Sequence, residues 1–220
     1  DRAGYKRFEI TDLNECSGLL TARCPAGWQT KKSLHNVCPV VTLSAAGTDL
    51  KLTLPPHQLR NIRYYRARAG NFGEAHFECA NDETFATLFR MFFLLHRARW
   101  RERGETGVLA DAKLEQFHLE AARAFLERQM LRLYVLYIKE SIAGAIYTFT
   151  HRRRAYCYLA GFDPEYKSFS PGTLLIAHTI ESALAEGCDA VDFLRGNEAY
   201  KYFWGAKDRP TYRRVFLRET

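Results

Sequence analysis

Residues Ser170–Leu194 read SPGTLLIAHTIESALAEGCDAVDFL. Ser170 suits a helix cap, and Pro171 suits a first helical position because its missing N–H would have no intrahelical partner there. Gly187 suits the other end, so a helix is expected from about Pro171 to Glu186, followed by an apolar strand from Cys188 to Leu194. Upstream, across the loop from Phe162 to Phe169, Ala155 to Gly161 has the apolar, β-prone composition of another strand. A strand, a helix and a strand at this separation imply parallel pairing through a right-handed crossover.

Working toward the N-terminus, Leu131 to Lys139 and Ile142 to Thr150 are two further strand candidates. Short links join them to each other and to Ala155–Gly161, which predicts an antiparallel meander. Before the meander the period is helical. Phe85, Leu88, Phe89, Phe92, Leu95 and Arg99 recur at three- and four-residue steps behind Asn81 or Asp82 as caps. A second helix is expected from Asp111 to Gln129, with Leu114, Phe117, Ala121, Phe125 and Leu126 on one face. Pro55-Pro56 opens a helix from His57 to Ala69 that should stop at Gly70, and Gly73 to Cys79 alternates like a strand. The last strand is Tyr212 to Arg218. Residues 1–45 offer only a strand at Arg7–Ile10, a short helix from Asp12 to Ala22, a turn at Pro25–Gly27 and a strand at Val37–Leu43, which is too little for a core of its own. They are expected to be the tail of a preceding unit, with the main domain at 46–220. The fold class is α+β, a mixed central sheet with flanking helices.

The chain has 220 residues and a net charge of +7. Neither a spanning run of apolar residues nor an apolar signal core at Asp1–Arg7 is present, and the expected location is the cytoplasm. Cys16, Cys24, Cys38, Cys79, Cys157 and Cys188 form no Cys-x-x-Cys pair and none lies at metal-finger spacing to a His, so free thiols are expected and no metal site. Arg60, Arg63, Arg66 and Arg68 crowd one stretch and Arg97, Arg99, Arg101 and Arg103 another. They read either as solvated helix faces or as a surface for polyanions such as coenzyme phosphates or RNA. No glycine-aromatic RNA-binding signature accompanies Tyr64 and Tyr65.

Two stretches carry chemistry. The helix start at Ser168–Thr173 offers free amides and the positive end of a helix dipole, an anion site that Gly172 leaves open to a ligand. Between Ala190 and Ala206 a short strand runs into Asp192, Arg195, Gly196, Glu198, Tyr200, Lys201, Trp204 and Gly205, polar and aromatic residues with no amphipathic period. Asp192 in mid-strand needs a partner, which Arg195 or Lys201 could supply; it reads either as half of an ion pair or as a proton acceptor. His96 and Arg99 share a face of the long helix, with Trp100 beside them. That placement, and a histidine's usual range, suit His96 to proton transfer or to a satisfied place in the core.

The order of elements resembles the GNAT superfamily of acyltransferases. Four blocks sharpen the resemblance: Leu94–Trp100, Ala160–Pro164, Ser170–Leu175 and Asp192–Gly205. Together they are similar to bacterial tandem-GNAT acyltransferases linked to cellulose and exopolysaccharide biosynthesis, relatives of the Fem-type aminoacyl transferases. The resemblance implies an upstream GNAT-like half and transfer of an acyl group from acetyl-CoA or another acyl-CoA to an amine on a small-molecule or sugar acceptor. It places the thioester carbonyl near Leu159, Ala160 and Gly161 and the pyrophosphate at Ser170, Gly172 and Thr173. By the same resemblance Asp192, Lys201 and His96 are candidate catalytic residues, and Arg99, Trp100, Arg195, Glu198 and Tyr200 contact the acceptor. Polysaccharide-synthesis proteins are implied partners. The usual glycine-rich phosphate loop is replaced by Ser170-Pro-Gly-Thr173, which leaves open whether coenzyme A, an acyl carrier protein or aminoacyl-tRNA is the donor; aminoacyl transfer from tRNA and a degenerate GNAT serving as a binding module in polysaccharide synthesis are the alternative readings.

Overall fold

The computed structural model describes residues 5–102, 104, 109 and 111–219. Among the described residues eight strands form one sheet in the order β1-β8-β2-β7-β6-β5-β4-β3. The strands are β1 (Arg7–Asn14), β2 (Trp28–Thr42), β3 (Ala75–Cys79), β4 (Leu131–Ile138), β5 (Ser141–His151), β6 (Arg154–Phe162), β7 (Ala190–Asp192) and β8 (Lys207–Arg218). The helices are α1 (Pro56–Phe72), α2 (Phe85–Glu102), α3 (Ala112–Glu127), α4 (Pro171–Ala185) and the short α5 (Ala199–Tyr202). Among the described residues only β6 and β7 pair in parallel, through the α4 crossover.

The centre of the sheet is covered on both faces, which is why β4 reads as nearly continuous apolar sequence. Its odd-numbered Leu131, Leu133 and Val135 pack with Phe85, Phe89 and Phe92 of α2 and Ala122 of α3. Its even-numbered Tyr134, Leu136 and Ile138 pack with Ala69 of α1 and Leu174 and Leu175 of α4. The period-2 alternation of one strand therefore feeds two cores. His178 packs beside the second, stacked on Phe77 at 4.1 Å and edge-on to Tyr134.

Several local expectations change. The helix anticipated from Asp12 to Ala22 is instead the end of β1 and one 3₁₀ turn, Gly18–Leu20. A bulge in β1 puts Asp12 at φ 54°, and its carboxylate ties down Asn36 and Thr211 rather than capping a helix. Strand β2 is far longer than Val37–Leu43, because β8 pairs with it from Trp28 to Val40. Residues on either side of position 45 thus share one sheet, β2 lying between β8 and β7. Helix α1 passes through Gly70 and ends at Phe72, with Gly73 as its cap; Phe72 gains a ring contact with Phe169 and the Lys139 ammonium lies over its ring. Ser170 does not cap α4: it sits in the left-handed region at φ 50° with its hydroxyl 2.8 Å from that of Thr173.

Candidate active site

Strands β6 and β7 pair over three residues only, from Arg154–Ala190 to Tyr156–Asp192. Strand β7 then stops, with Leu194 turned into the left-handed region, while β6 continues to Phe162. One edge of β6 is left without a neighbouring strand, and a cavity of about 650 Å³ lies against it. A bulge accompanies the divergence: Tyr147 pairs with Leu159 but Thr148 with Cys157, leaving Tyr158 as an extra residue aimed at the cavity.

Backbone groups of successive residues point to alternate edges of a strand, and the N–H and C=O of one residue share an edge. The Ala160 carbonyl accepts from Arg99 Nη1 at 3.1 Å rather than from a strand, so the Ala160 amide faces the same open edge. Gly161 lets this arrangement close. A Cβ there would lie 2.3 Å from the His96 nitrogen and 2.6 Å from the Leu95 carbonyl carbon, so α2 rests its backbone directly on β6. His96, Arg99 and Trp100 of α2 are thereby brought to the cavity wall with Leu159 and Ala160.

At the far wall is the start of α4. Pro171 has no N–H, and Thr173 and Leu174 both donate to the Ser170 carbonyl, which leaves the Gly172 amide directed out of the helix end. A Cβ on Gly172 would meet nothing within 4 Å. Ser170, Gly172, Thr173 and Lys167 all border the cavity there. The Gly172 amide and the helix dipole face open space at this end, an arrangement suited to an anion, while the Lys167 ammonium lies 3.2 Å from Glu102 and the Ser170 and Thr173 hydroxyls bond each other.

Glu198 and Tyr200 complete the lining, whereas Asp192, Arg195, Lys201 and Gly161 are not part of it. Asp192 is buried, which pushes its carboxyl upward; the Leu194 amide at 2.8 Å and Arg154 at 3.3 Å pull it back. Its ion-pair partner is Arg154, with the Lys201 charge also acting on it, and not Arg195, whose exposed side chain lies 3.9 Å from Asp12. The Lys201 ammonium is 3% exposed and donates to the carbonyls of Leu194, Arg195 and Gly196 at 3.3, 2.9 and 3.2 Å, while Glu198 lies at 2.8 Å. It closes the loop that β7 becomes. Burial alone would raise Glu198, but the Lys201 hydrogen bond and charge hold it below its ordinary value. Trp204 is buried, and Gly205, at φ 79°, sets this loop against Pro55.

His96 differs from the sequence expectation. Burial, reinforced by the charges of Arg99, His118 and Arg97, lowers it to about 4, so at neutral pH it is an uncharged imidazole without the affinity for a proton that a base needs. Burial likewise raises Tyr200 to about 12 and Cys157, beside the cavity, to about 12. The phenol and the thiol both stay protonated.

The sequence reading missed Gln58, Asn61 and Tyr65 of α1, which also line the cavity, together with Tyr158, Lys167 and Phe203. A signal existed for Gln58, a polar residue on the inner face of α1, where it is buried. None existed for Tyr158, because a bulge is invisible without the partner strand. Of the basic clusters, Arg66 pairs with Glu181 at 2.5 Å, Arg97 pairs with Glu115 and Arg99 enters the site; Arg103 lies outside the described residues. Among the described residues no group of three His, Cys, Asp or Glu side chains could hold a metal ion, and no helix is long and apolar enough to cross a membrane.

The fold has solved counterparts. FemX matches at a TM-score of 0.66 with 10% identity, over 94% of this chain and 71% of its own. The C-terminal domain of a protein described as a lysylphosphatidylglycerol synthetase, from Agrobacterium fabrum, matches at 0.60 with 16% identity, over 86% of this chain and 62% of its own. L-PGS from Bacillus licheniformis matches at 0.56 with 12% identity, over 88% of this chain and 62% of its own. The chain therefore spans about three fifths of two of these relatives, and at such identities the likeness is one of fold. No curated protein matches significantly. The acetyltransferase (GNAT) domain model matches residues 56–202, two thirds of the chain, a span that holds every cavity-lining residue except Phe203 and Trp204. The chain belongs to the acetyltransferase (GNAT) family and carries a GNAT-type acyltransferase domain.

Proposed function

We propose that this domain transfers an acyl group from a coenzyme A thioester to an amine on a saccharide of the cell-envelope or exopolysaccharide type. The observation that carries the reading is the open edge of β6: the Ala160 amide faces a cavity whose other end is the α4 N-terminus. A thioester lying along that edge would set its carbonyl at the amide and its phosphates near Gly172, Thr173 and Lys167. Attack by the amine forms the C–N bond, and the Ala160 amide stabilises the developing oxyanion. When the C–S bond breaks, the neutral Tyr200 phenol can protonate the departing thiolate, and Glu198 or water takes the proton lost by the amine. Tyr158, Tyr200 and Phe203 stand partly exposed at the cavity and offer apolar faces to a sugar ring. Asp192 and Lys201 act in this account by holding the loop that presents Glu198 and Tyr200.

The test is release of coenzyme A thiol from acetyl-CoA against a panel of amino sugars and their N-blocked forms. Turnover confined to free amines supports the proposal, and turnover with none of them removes the saccharide acceptor.

One observation favours a second reading, aminoacyl transfer from tRNA. Helix α1, at the mouth of the cavity, has four arginines among its 17 residues and no Asp or Glu, and the α4 terminus offers one free amide rather than a glycine-rich cradle. Salt-sensitive binding of bulk tRNA, abolished by charge reversal at Arg60 and Arg63, would favour this reading over the first.

A further inference from the structure

Trp100 Nε1 lies 2.9 Å from His96 Nε2. An indole N–H can only donate, so His96 Nε2 is the acceptor, and a neutral imidazole then carries its proton on Nδ1. The side chain is 1% exposed, and Nδ1 has no hydrogen-bond partner among the described residues. A buried N–H without an acceptor is destabilising, so a group left in this state at a cavity wall calls for an acceptor from elsewhere. His96 is among the residues that border the cavity, and its backbone is pressed on Gly161, next to the Ala160 amide.

We infer that His96, as its Nδ1–H tautomer, donates a hydrogen bond to the acyl carbonyl oxygen of the donor, beside the Ala160 amide. The inference rests on the proposal that an acyl thioester occupies this cavity. No proton moves through the ring: its one lone pair is taken by Trp100, and its N–H stabilises negative charge gathering on oxygen. Trp100 is the positioning residue that fixes the tautomer.

Amide side chains separate the two ring nitrogens, since Asn places an N–H near the Nδ1 position and Gln near Nε2. In acyl transfer, His96→Asn is expected to stay within about tenfold of the wild type, whereas His96→Gln and His96→Phe lose about 10²–10³-fold, the usual effect of removing one oxyanion donor. Equal rates for the Asn and Gln variants overturn the inference. Nitrogen-15 NMR of the wild type gives a readout independent of the variants. The expected result is a protonated Nδ1 whose resonance moves with acetyl-CoA and not with coenzyme A lacking the acyl group. Binding of both with no difference at Nδ1 overturns the role of His96 alone. Absence of binding by either overturns the role and the proposed donor together.

Discussion

Gly161→Ala puts the packing of α2 on β6 to a direct test. The added Cβ would sit 2.3 Å from one backbone nitrogen, 2.6 Å from a carbonyl carbon and 2.7 Å from a Cα, all in Leu95 and His96. Side chains can rotate away from such a contact, but helix backbone between Phe92 and Arg99 cannot, because both residues are anchored in their own contacts. The helix must lift by several tenths of an ångström, which loosens the Phe89 and Phe92 core and stretches the Arg99 bond to Ala160. Overpacking of this kind costs about 3 kcal/mol. In a domain of this size that is a fall in Tm of roughly 6–12 °C. Gly172→Ala is the matched control: its Cβ meets nothing within 4 Å, and alanine favours a helix, so its Tm should equal or slightly exceed that of the wild type. Calorimetry on both variants reads the difference. If Gly161→Ala melts within 1 °C of the wild type, α2 does not rest on β6 as described and the placement of His96 and Arg99 at the cavity fails with it.

Lys201→Met should destabilise the domain by about 3 kcal/mol in urea unfolding, because three carbonyls and Glu198 lose a buried ammonium; a loss under 0.5 kcal/mol would contradict its role as the clamp of the 194–198 loop. His96 falls from an ordinary 6.5 to about 4 in the folded state, so between those values the unfolded chain binds the proton and the folded one does not. Its contribution, at most about 3 kcal/mol, is complete above pH 6.5 and disappears as pH falls toward 4. His118 and His178, lowered by burial, act with the same sign, so urea unfolding at pH 5 and 7.5 should show a smaller pH difference for His96→Asn, and an unchanged difference would refute the assignment. At pH 8 a disulfide reagent should modify exposed Cys16 quickly and leave Cys157 and Cys188 until the protein unfolds, and fast labelling of Cys157 would contradict its raised pKa.

Period and turn chemistry made the centre of the fold legible from sequence. The apolar steps of α2, the three linked strands of the meander and the helix opened by Pro171 all lie where the pattern puts them. The N-terminal strands were legible only in part, as Arg7–Ile10 and Val37–Leu43, because from Trp28 to Asn36 β2 is mostly exposed and its composition is free to be polar. Half of the candidate site was legible for the same reason. His96, Arg99, Trp100, Glu198 and Tyr200 were visible as chemistry out of place in an element. The ion-pair partner of Asp192 was left open between Arg195 and Lys201, because spacing along a loop does not give direction: a left-handed Leu194 turns the chain, Arg154 from β6 reaches Asp192, and the Lys201 charge acts on it as well. Protonation was the least legible property. His96 looks ordinary in a sequence, and only its burial beside Arg99 and His118 makes it a neutral donor.

Thermal unfolding with acyl-CoA ligands tests the central claim, that the cleft beside β6 accepts a coenzyme A thioester with its phosphates at the start of α4. Acetyl-CoA or a longer acyl-CoA at about a hundred times its Kd should stabilise the wild type by about 2.7 kcal/mol. Gly172→Glu should keep the unliganded Tm, because a carboxylate suits a helix N-terminus, and should lose the ligand-induced rise through repulsion of the phosphates. Stabilisation that survives Gly172→Glu would move the phosphates elsewhere, and no stabilisation of the wild type by any acyl-CoA would contradict the account.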